Sequence, residues 1–549
     1  MRKILQNKQL ILIITVIAVF VVAFAVRFYP IYHKGYLPKI GADTLILARN
    51  MTLTNEYKIE DERGVILNPS LLNEKGAELN VGNELTRTLY AKVFDVLGFK
   101  TSIPLYVSLI LWTLTTVLLF LLILRLFNYW LALLFVLVDI FAPTVLASSI
   151  LPGAYEWAAF FFTIALLVYL WKPKEDIHNL EHPLKFGWSV YATSGPRFYS
   201  RLFLAGLFFG LASLAGNAYL ISFIPFLVYE FYRSKSFKKS LILFLPVIIL
   251  WGAYLGPNLI KEKALKNYYL TSAKTSSSEY LHIFPDPYTY NFEKEEYIKS
   301  VSHTRTPDWI KALTFYDYHV DWSQRLWLYF TSAGFYVKEF FRLTTIGGAL
   351  SILFFFLGLG YLYRKKNHLL MLFVIWFLFW YFALVFYGSS SNHHFSEIRF
   401  PVYFLISSGI YWVINLVSGL KIKAWHKYFL ILGIVFLVAL DLTQSDKWLL
   451  HEKYENGNME EVLSTAKILN NANIAQRDVI AVGLPGNSPL TLNYYTNLNL
   501  VYFDPATILR LSEKNKLQWA FDQFGVNRII GYDKELTEKI IQSTNARAI

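Results

Sequence analysis

Most of the chain alternates long uninterrupted apolar runs with short clusters of Lys and Arg. A helix needs about 20 apolar residues to cross the hydrocarbon core of a bilayer. Runs approaching that length occur at Gln9–Val26, Ile103–Leu124, Tyr129–Ala147, Gly153–Trp171, Leu202–Gly216 and Tyr219–Tyr232. They continue at Leu241–Leu255, Leu343–Tyr363, Leu369–Tyr387, Phe400–Leu416 and Tyr428–Leu442. The pattern predicts about eleven spanning helices. The fifth and sixth are short and joined at Gly216-Asn217. After the first run comes Arg27-Phe28-Tyr29-Pro30, bulky and aromatic, with no small-residue cleavage site, so a retained helix is expected rather than a leader.

The tail has a different period. Asp478–Gly483, Leu500–Phe503 and Val526–Tyr532 read as short buried strands, and Leu490–Thr496 and Leu517–Phe524 as helices. Strands alternating with helices predict a small parallel α/β domain. The expected organisation is a transmembrane domain over 1–442, with outer segments at 27–102 and 256–342, followed by an extracytoplasmic α/β domain over 443–549. Within the second outer segment, 322–342 mixes aromatics with Arg325, Lys338 and Arg342, as an interfacial amphipathic helix does.

Basic residues set the orientation. Arg125, then Lys172 to Arg201, Arg233 to Lys239, Arg364 to Lys366 and Lys421 to Lys427 all fall in alternate loops. The short loops Ser148–Pro152 and Gly388–Glu397 carry neither Lys nor Arg. Cytoplasmic loops are the basic ones, which predicts the N-terminus inside and the C-terminus outside a plasma (inner) membrane.

Composition agrees. Of 549 residues, 55% are hydrophobic and only 17% charged, with a mean hydropathy of +0.37. The formal charge of +13 lies largely in loops beside lipid headgroups, so it does not point to nucleic acid. The chain has no cysteine, which excludes disulfides, thiolate nucleophiles and cysteine-ligated metals.

Ionisable residues near membrane depth are expensive and mark function first. Asp43 opens an apparently helical segment after the first span, where it serves either as an N-terminal acid or in chemistry. Glu156 stands at the outer start of the fourth span, with the same two readings. Asp139 lies deeper and is expected to face protein or a cavity, where it could simply bond a neighbouring helix. Arg399, in Ile398-Arg399-Phe400-Pro401, suits a phosphate or snorkels to headgroups. His393, His394 and Glu397 offer metal ligands, although without i,i+4 spacing. Gly483-Leu484-Pro485-Gly486 lacks the spacing and the Lys of a nucleotide loop.

The layout resembles the GT-C membrane glycosyltransferases, in the branch of the protein O-mannosyltransferases and the lipid A aminoarabinose transferases. The resemblance rests on Asp43 with Ala48-Arg49-Asn50 and Tyr57, on Gly98-Phe99 before the second span, on Glu156 and on Arg399-Phe400. In the tail, Asn493-Tyr494-Tyr495-Thr496 followed by a strand is similar to that branch's outer domain. The chain departs from the pattern at Thr44, where a second acid is frequent, and at Asn217, where a basic residue is frequent.

The resemblance implies a glycosyltransferase that moves a sugar from a polyprenyl-phosphate donor to an acceptor hydroxyl on the extracytoplasmic face, by a single inverting displacement. Asp43 would be the general base and Arg399 the phosphate ligand. Glu156 would orient the acceptor or support a divalent cation, with His393, His394, Glu397 and Asn217 as further substrate or metal contacts. The acceptor would be a glycan, a lipid or a protein. A transporter or flippase, a glycan ligase or polymerase, and a non-catalytic glycan-binding member remain as alternatives.

Overall fold

The computed structural model describes residues 2–34, 41–54, 65–71, 84–153, 155–170, 196–216, 218–261, 290–291, 296–297, 346–365, 367–387, 399–420, 423–426, 428–433, 459–484, 488–503 and 505–549, together with a few isolated positions. These residues fall into two compact units. The first comprises Met1–Gly35, Leu105–Asn258 and Ser323–Tyr454. The second comprises Tyr36–Pro104, Leu259–Trp322 and Glu455–Ile549.

The first unit is helical. Its elements are α1 (Arg2–Lys34), α4 (Ile103–Leu126), α5 (Tyr129–Phe141), α6 (Pro143–Ser149), α7 (Glu156–Leu170), α8 (Pro196–Ala215), α9 (Ala218–Ser234), α10 (Phe237–Lys261), α11 (Ile346–Arg364), α12 (Leu369–Tyr387) and α13 (Arg399–Gly419). Among the described residues, Gln9–Pro30, Ile103–Leu126, Phe198–Ala215 and Arg399–Gly419 are long and apolar enough to cross a membrane. Tyr129–Phe141, Glu156–Leu170, Leu350–Arg364 and Leu369–Ala383 are apolar and shorter. The chain is an integral membrane protein, and most of the expected span at 428–442 and of the amphipathic segment at 322–342 lies outside the described residues.

Two spans differ from expectation. The first helix does not stop at Val26 but runs on to Lys34. Phe20, Phe24, Phe28 and Tyr32, four residues apart, carry their ring contacts along one face at 6.0–6.5 Å. Arg27, expected to begin the outer segment, is therefore inside the bundle and fully buried. The expected third span is broken: α5 ends at Phe141, Ala142 is extended (φ −68°, ψ 122°), and α6 restarts at Pro143. Proline disfavours helical geometry in the residue before it and lacks the amide that would continue the ladder.

Glycine sets the closest helix pairings. A Cβ on Gly409 of α13 would overlap the Phe354 carbonyl of α11, and one on Gly358 of α11 would overlap the Leu405 carbonyl of α13. Gly206 and Gly210 of α8 likewise face the backbone of α10 at Leu243 and Val247. Small residues let backbones meet in a solvent that supplies no hydrophobic drive.

The second unit contains α2 (Ala42–Thr54), a 3₁₀ turn (Pro69–Leu71), α3 (Glu84–Leu97), a short antiparallel pair β1 (Tyr290–Asn291) and β2 (Glu296–Tyr297), and an α/β layer structure. That structure runs α14 (Met459–Asn471), β3 (Val479–Val482), α15 (Ser488–Thr496), β4 (Asn499–Tyr502), α16 (Pro505–Glu513), α17 (Leu517–Phe524), β5 (Val526–Ile530), α18 (Lys534–Ser543) and β6 (Arg547–Ala548). The strands pair in parallel in the order β4-β3-β5-β6. All four residues of β3 are buried. Val479 and Ala481 pack with α16, α17 and α18, whereas Ile480 and Val482 pack with α14 and α15. Burial on both faces explains a continuous apolar run rather than an alternating one. The expected parallel α/β arrangement is therefore present, with α14, α16, α18 and β6 in addition.

Residues far back in the chain complete the sheet. Ile66 forms an antiparallel bridge with Leu500, with reciprocal N–H···O bonds of 2.9 Å. The Asn68 amide donates to Asn499 Oδ1 at 2.7 Å, and Val65 and Leu67 join the core beneath α16 to α18.

Candidate functional site

In the first unit, four helices bring charged groups together below the surface. Asp139 of α5 is fully buried, three residues before the break at Ala142, and so faces protein as expected. Its Oδ2 accepts a 2.7 Å hydrogen bond from Thr116 of α4 and lies 3.7 Å from Arg27 Nη2 of α1. Its Oδ1 lies 3.8 Å from Arg399 Nη1 of α13. Arg27 in turn donates to Thr116 Oγ1 at 2.7 Å. The Arg399 guanidinium sits 4.4 Å from the centre of the Trp112 ring, a cation–π contact from the face of α4 that also carries Thr116.

Arg399 does not snorkel; only 4% of the residue is exposed. Its neighbour explains why. Phe400 packs against Phe135, Phe373 and Trp376 at ring distances of 5.7–5.8 Å, which seats the first turn of α13 in an aromatic cluster. Arg399 is thereby the first residue of a helix, so its charge adds to the positive end of the helix dipole. Its Nη1 and Nη2 take no hydrogen-bond acceptor among the described residues, and neither does Asp139 Oδ1 take a donor. Among the described residues, one carboxylate between two guanidiniums leaves a surplus of one positive charge.

Glu156, the first residue of α7, is fully buried. Its Oε1 accepts from the Gly153 amide at 2.7 Å and its Oε2 from the Tyr155 amide at 3.1 Å. The carboxylate thus closes the turn that precedes its own helix and is fixed in orientation.

In the second unit, Asp43 is the second residue of α2, whose first turn is closed by a 3.1 Å bond from the Leu45 amide to the Gly41 carbonyl. The Asp43 side chain and the residues Asn217, His393, His394 and Glu397 lie outside the described residues. No cluster of three or more His, Asp or Glu with metal-site geometry occurs among those described.

Three motif segments of the sequence converge in this second unit. Arg49 is fully buried and donates to the Asn493 carbonyl at 2.9 Å, to Asn493 Oδ1 at 2.9 Å, to Asn50 Oδ1 at 3.0 Å and to Asn497 Oδ1. Burial pushes its guanidinium down to about 9, with Tyr494 acting the other way, so it keeps its charge at neutral pH. Asn493 Nδ2 continues the network to the carbonyls of Leu67 and Leu498. Phe99, after Gly98 with its φ of +75°, packs edge-on against Tyr494 at 5.7 Å. Ala48-Arg49-Asn50, Gly98-Phe99 and Asn493–Thr496 therefore meet as a structural knot.

At the carboxyl ends of the parallel strands, where an open α/β sheet binds ligands, the Tyr532 side chain spans β3 and β4 among the described residues. A Cβ on Gly483 would meet the Tyr532 ring, and Tyr532 Oη donates to the Phe503 carbonyl at 2.9 Å. Sequence reasoning missed Arg27, Thr116 and Trp112. Their signal was the i,i+4 spacing of Trp112 with Thr116 and the unbroken aromatic ladder through Arg27.

No protein-family model matches the chain, and no curated protein does. Among solved structures it is similar to ArnT from Cupriavidus metallidurans in the apo state, with a TM-score of 0.49 at 11% identity over 89% of this chain and 85% of that one. The ArnT structure bound to undecaprenyl phosphate gives 0.49 at 10% identity, over 98% and 89%. The archaeal oligosaccharyltransferase AglB from Archaeoglobus fulgidus, in complex with an inhibitory peptide and a dolichol-phosphate, gives 0.49 at 12% identity, over 96% and 70%.

Proposed function

We propose that the chain is a membrane glycosyltransferase that moves a sugar from a polyprenyl-phosphate donor to an acceptor hydroxyl on the extracytoplasmic face. The observation that carries this reading is Arg399: a buried guanidinium at the start of a long apolar helix, with both terminal nitrogens lacking an acceptor among the described residues. A planar cation of this kind suits phosphate oxygens at the end of a lipid tail.

In this reading the N-terminus is cytoplasmic and the C-terminal domain extracytoplasmic. Asp43 takes the proton of the acceptor hydroxyl as it attacks the anomeric carbon. The bond from that carbon to the phosphate oxygen breaks in the same displacement, and Arg399 steadies the charge left on the phosphate. Glu156, held by two backbone amides, orients the acceptor or supports a divalent cation.

The test is transfer from polyprenyl-phosphate sugars by purified protein, read by mass spectrometry of the released polyprenyl phosphate. Asp43→Asn should abolish release while the protein still inserts and folds, and Arg399→Gln should lose donor binding. Full activity of Asp43→Asn rejects the base assignment. A second reading, anion transport, draws on the same buried charges, since intramembrane ionisable groups also mark conduction paths. Flux into proteoliposomes without any sugar transfer would favour it.

A further inference from the structure

Two buried charge clusters in the first unit differ in how they are balanced. Around Glu230 of α9, Tyr169 donates at 2.8 Å and Arg233 at 2.7 Å, so one carboxylate meets one guanidinium in direct hydrogen bonds. Around Asp139, two guanidiniums stand off at 3.7 and 3.8 Å, beyond hydrogen-bonding distance. Only Oδ2 is pinned, by Thr116; Oδ1, on the side of Arg399, has no donor among the described residues. Asp139 therefore faces Arg399 without saturating it, and among the described residues the cluster keeps a net positive charge. Leaving buried N–H groups without acceptors is costly, so the arrangement favours arrival of a further anion.

We propose that Asp139 is an exchangeable counter-ion for Arg399, balancing the guanidinium until a phosphate docks and then yielding it to the phosphate oxygens. This rests on the reading of Arg399 as the phosphate ligand. Asp139 is then a positioning residue: it sets how tightly phosphate is held, and so how readily the polyprenyl phosphate product departs. Arg27 and Thr116 anchor it from behind through their shared hydrogen bond. A counter-ion that competes with the ligand couples its own removal to affinity, and couplings between charged sites commonly span about 5- to 150-fold.

The experiment is binding of a polyprenyl monophosphate to the full-length protein in detergent, followed by thermal stability, with the uncharged polyprenol and inorganic phosphate as comparison ligands. Asp139→Asn should lower stability without ligand, bind the polyprenyl monophosphate roughly tenfold more tightly than wild type, and gain more stability from it. Asp139→Glu should behave as wild type. In turnover, Asp139→Asn should lower KM and kcat together, because product release slows. Equal affinity of wild type and Asp139→Asn overturns the proposal. If Asp139→Asn fails to fold, the double variant Arg27→Gln with Asp139→Asn keeps the original net charge and should show the same tightening; unchanged affinity there is equally fatal. Tightening with inorganic phosphate but not with the lipid assigns the exchange to a soluble phosphate and overturns the lipid assignment, and tightening with the lipid assigns it to the lipid headgroup. If wild type gains nothing from polyprenyl monophosphate and Arg399→Gln matches it, the phosphate reading of Arg399 itself fails.

Discussion

Arg49 and Asn493 are 444 positions apart and share two hydrogen bonds, one to the Asn493 carbonyl and one to its side-chain oxygen, both 2.9 Å long. A guanidinium can make both because its donors are fixed in one plane. The pair joins the first turns after α1 to the last domain of the chain, inside one compact unit.

Removing the guanidinium leaves the buried Asn493 acceptors and the half-buried Asn497 acceptor unmet. Arg49→Met should cost about 3 kcal/mol, and Arg49→Lys should recover little, since an ammonium lacks the fork. Hydrogen exchange across α15 and β4 is the measurement; unchanged protection in Arg49→Met contradicts the assignment.

Asp478 gives the α/β domain an acid limit. Partial burial works to raise its carboxyl, but hydrogen bonds from Arg528, Asn527 and the Ala475 amide outweigh that and hold it below the usual 3.8. A carboxyl lowered on folding stabilises above its unfolded value and loses that contribution as pH falls through the folded one. Unfolding followed below pH 4 should therefore steepen in wild type, and the slope should flatten in Asp478→Asn. An identical acid limb in both proteins would count against the network.

Helix packing around Arg399 is testable at a single methyl group. Gly409→Ala forces a Cβ into the Phe354 backbone and should cost about 1–3 kcal/mol by overpacking. Gly252→Ala, where an added Cβ meets nothing within 4 Å, should be neutral or stabilising by up to about 1 kcal/mol. Thermal unfolding of the two variants side by side decides it; equal losses would mean that the α11–α13 approach is looser than described.

Orientation can be read directly because the chain has no cysteine. Lys238 and Glu538 are both exposed. A membrane-impermeant maleimide should label Glu538→Cys in spheroplasts and Lys238→Cys only after permeabilisation. The reverse pattern would invert the orientation that the basic loops predict.

The sequence made its helices legible wherever apolar length alone decides them, and its parallel strands wherever a short apolar run stands between polar segments. It concealed what depends on partners. Arg27 looked like the end of a span because hydropathy falls there, yet a hydrogen bond to Thr116 and the nearby Asp139 carboxylate hold it within the bundle. Pro143 carried a visible break that the surrounding apolar run masked. Asp139 could be expected to face protein, because lipid exposure is costly; that its neighbours would be two arginines could not. Arg49 and Asn493 were each noticed as parts of separate motifs, and only folding joins them.

The edge that Ile66 adds to β4 carries a consequence for biosynthesis. Asn68 and Asn499 are 431 positions apart. At about 5–20 residues per second, a ribosome needs roughly 20 to 90 s to supply the later strand after the earlier segment has emerged. For that interval the amides of Ile66 and Asn68 have no partner from the tail. An early segment is thus among the last to be finished, so a chain stalled before residue 499 would lack the edge partner of Ile66 and Asn68, which makes the tail a checkpoint on complete synthesis.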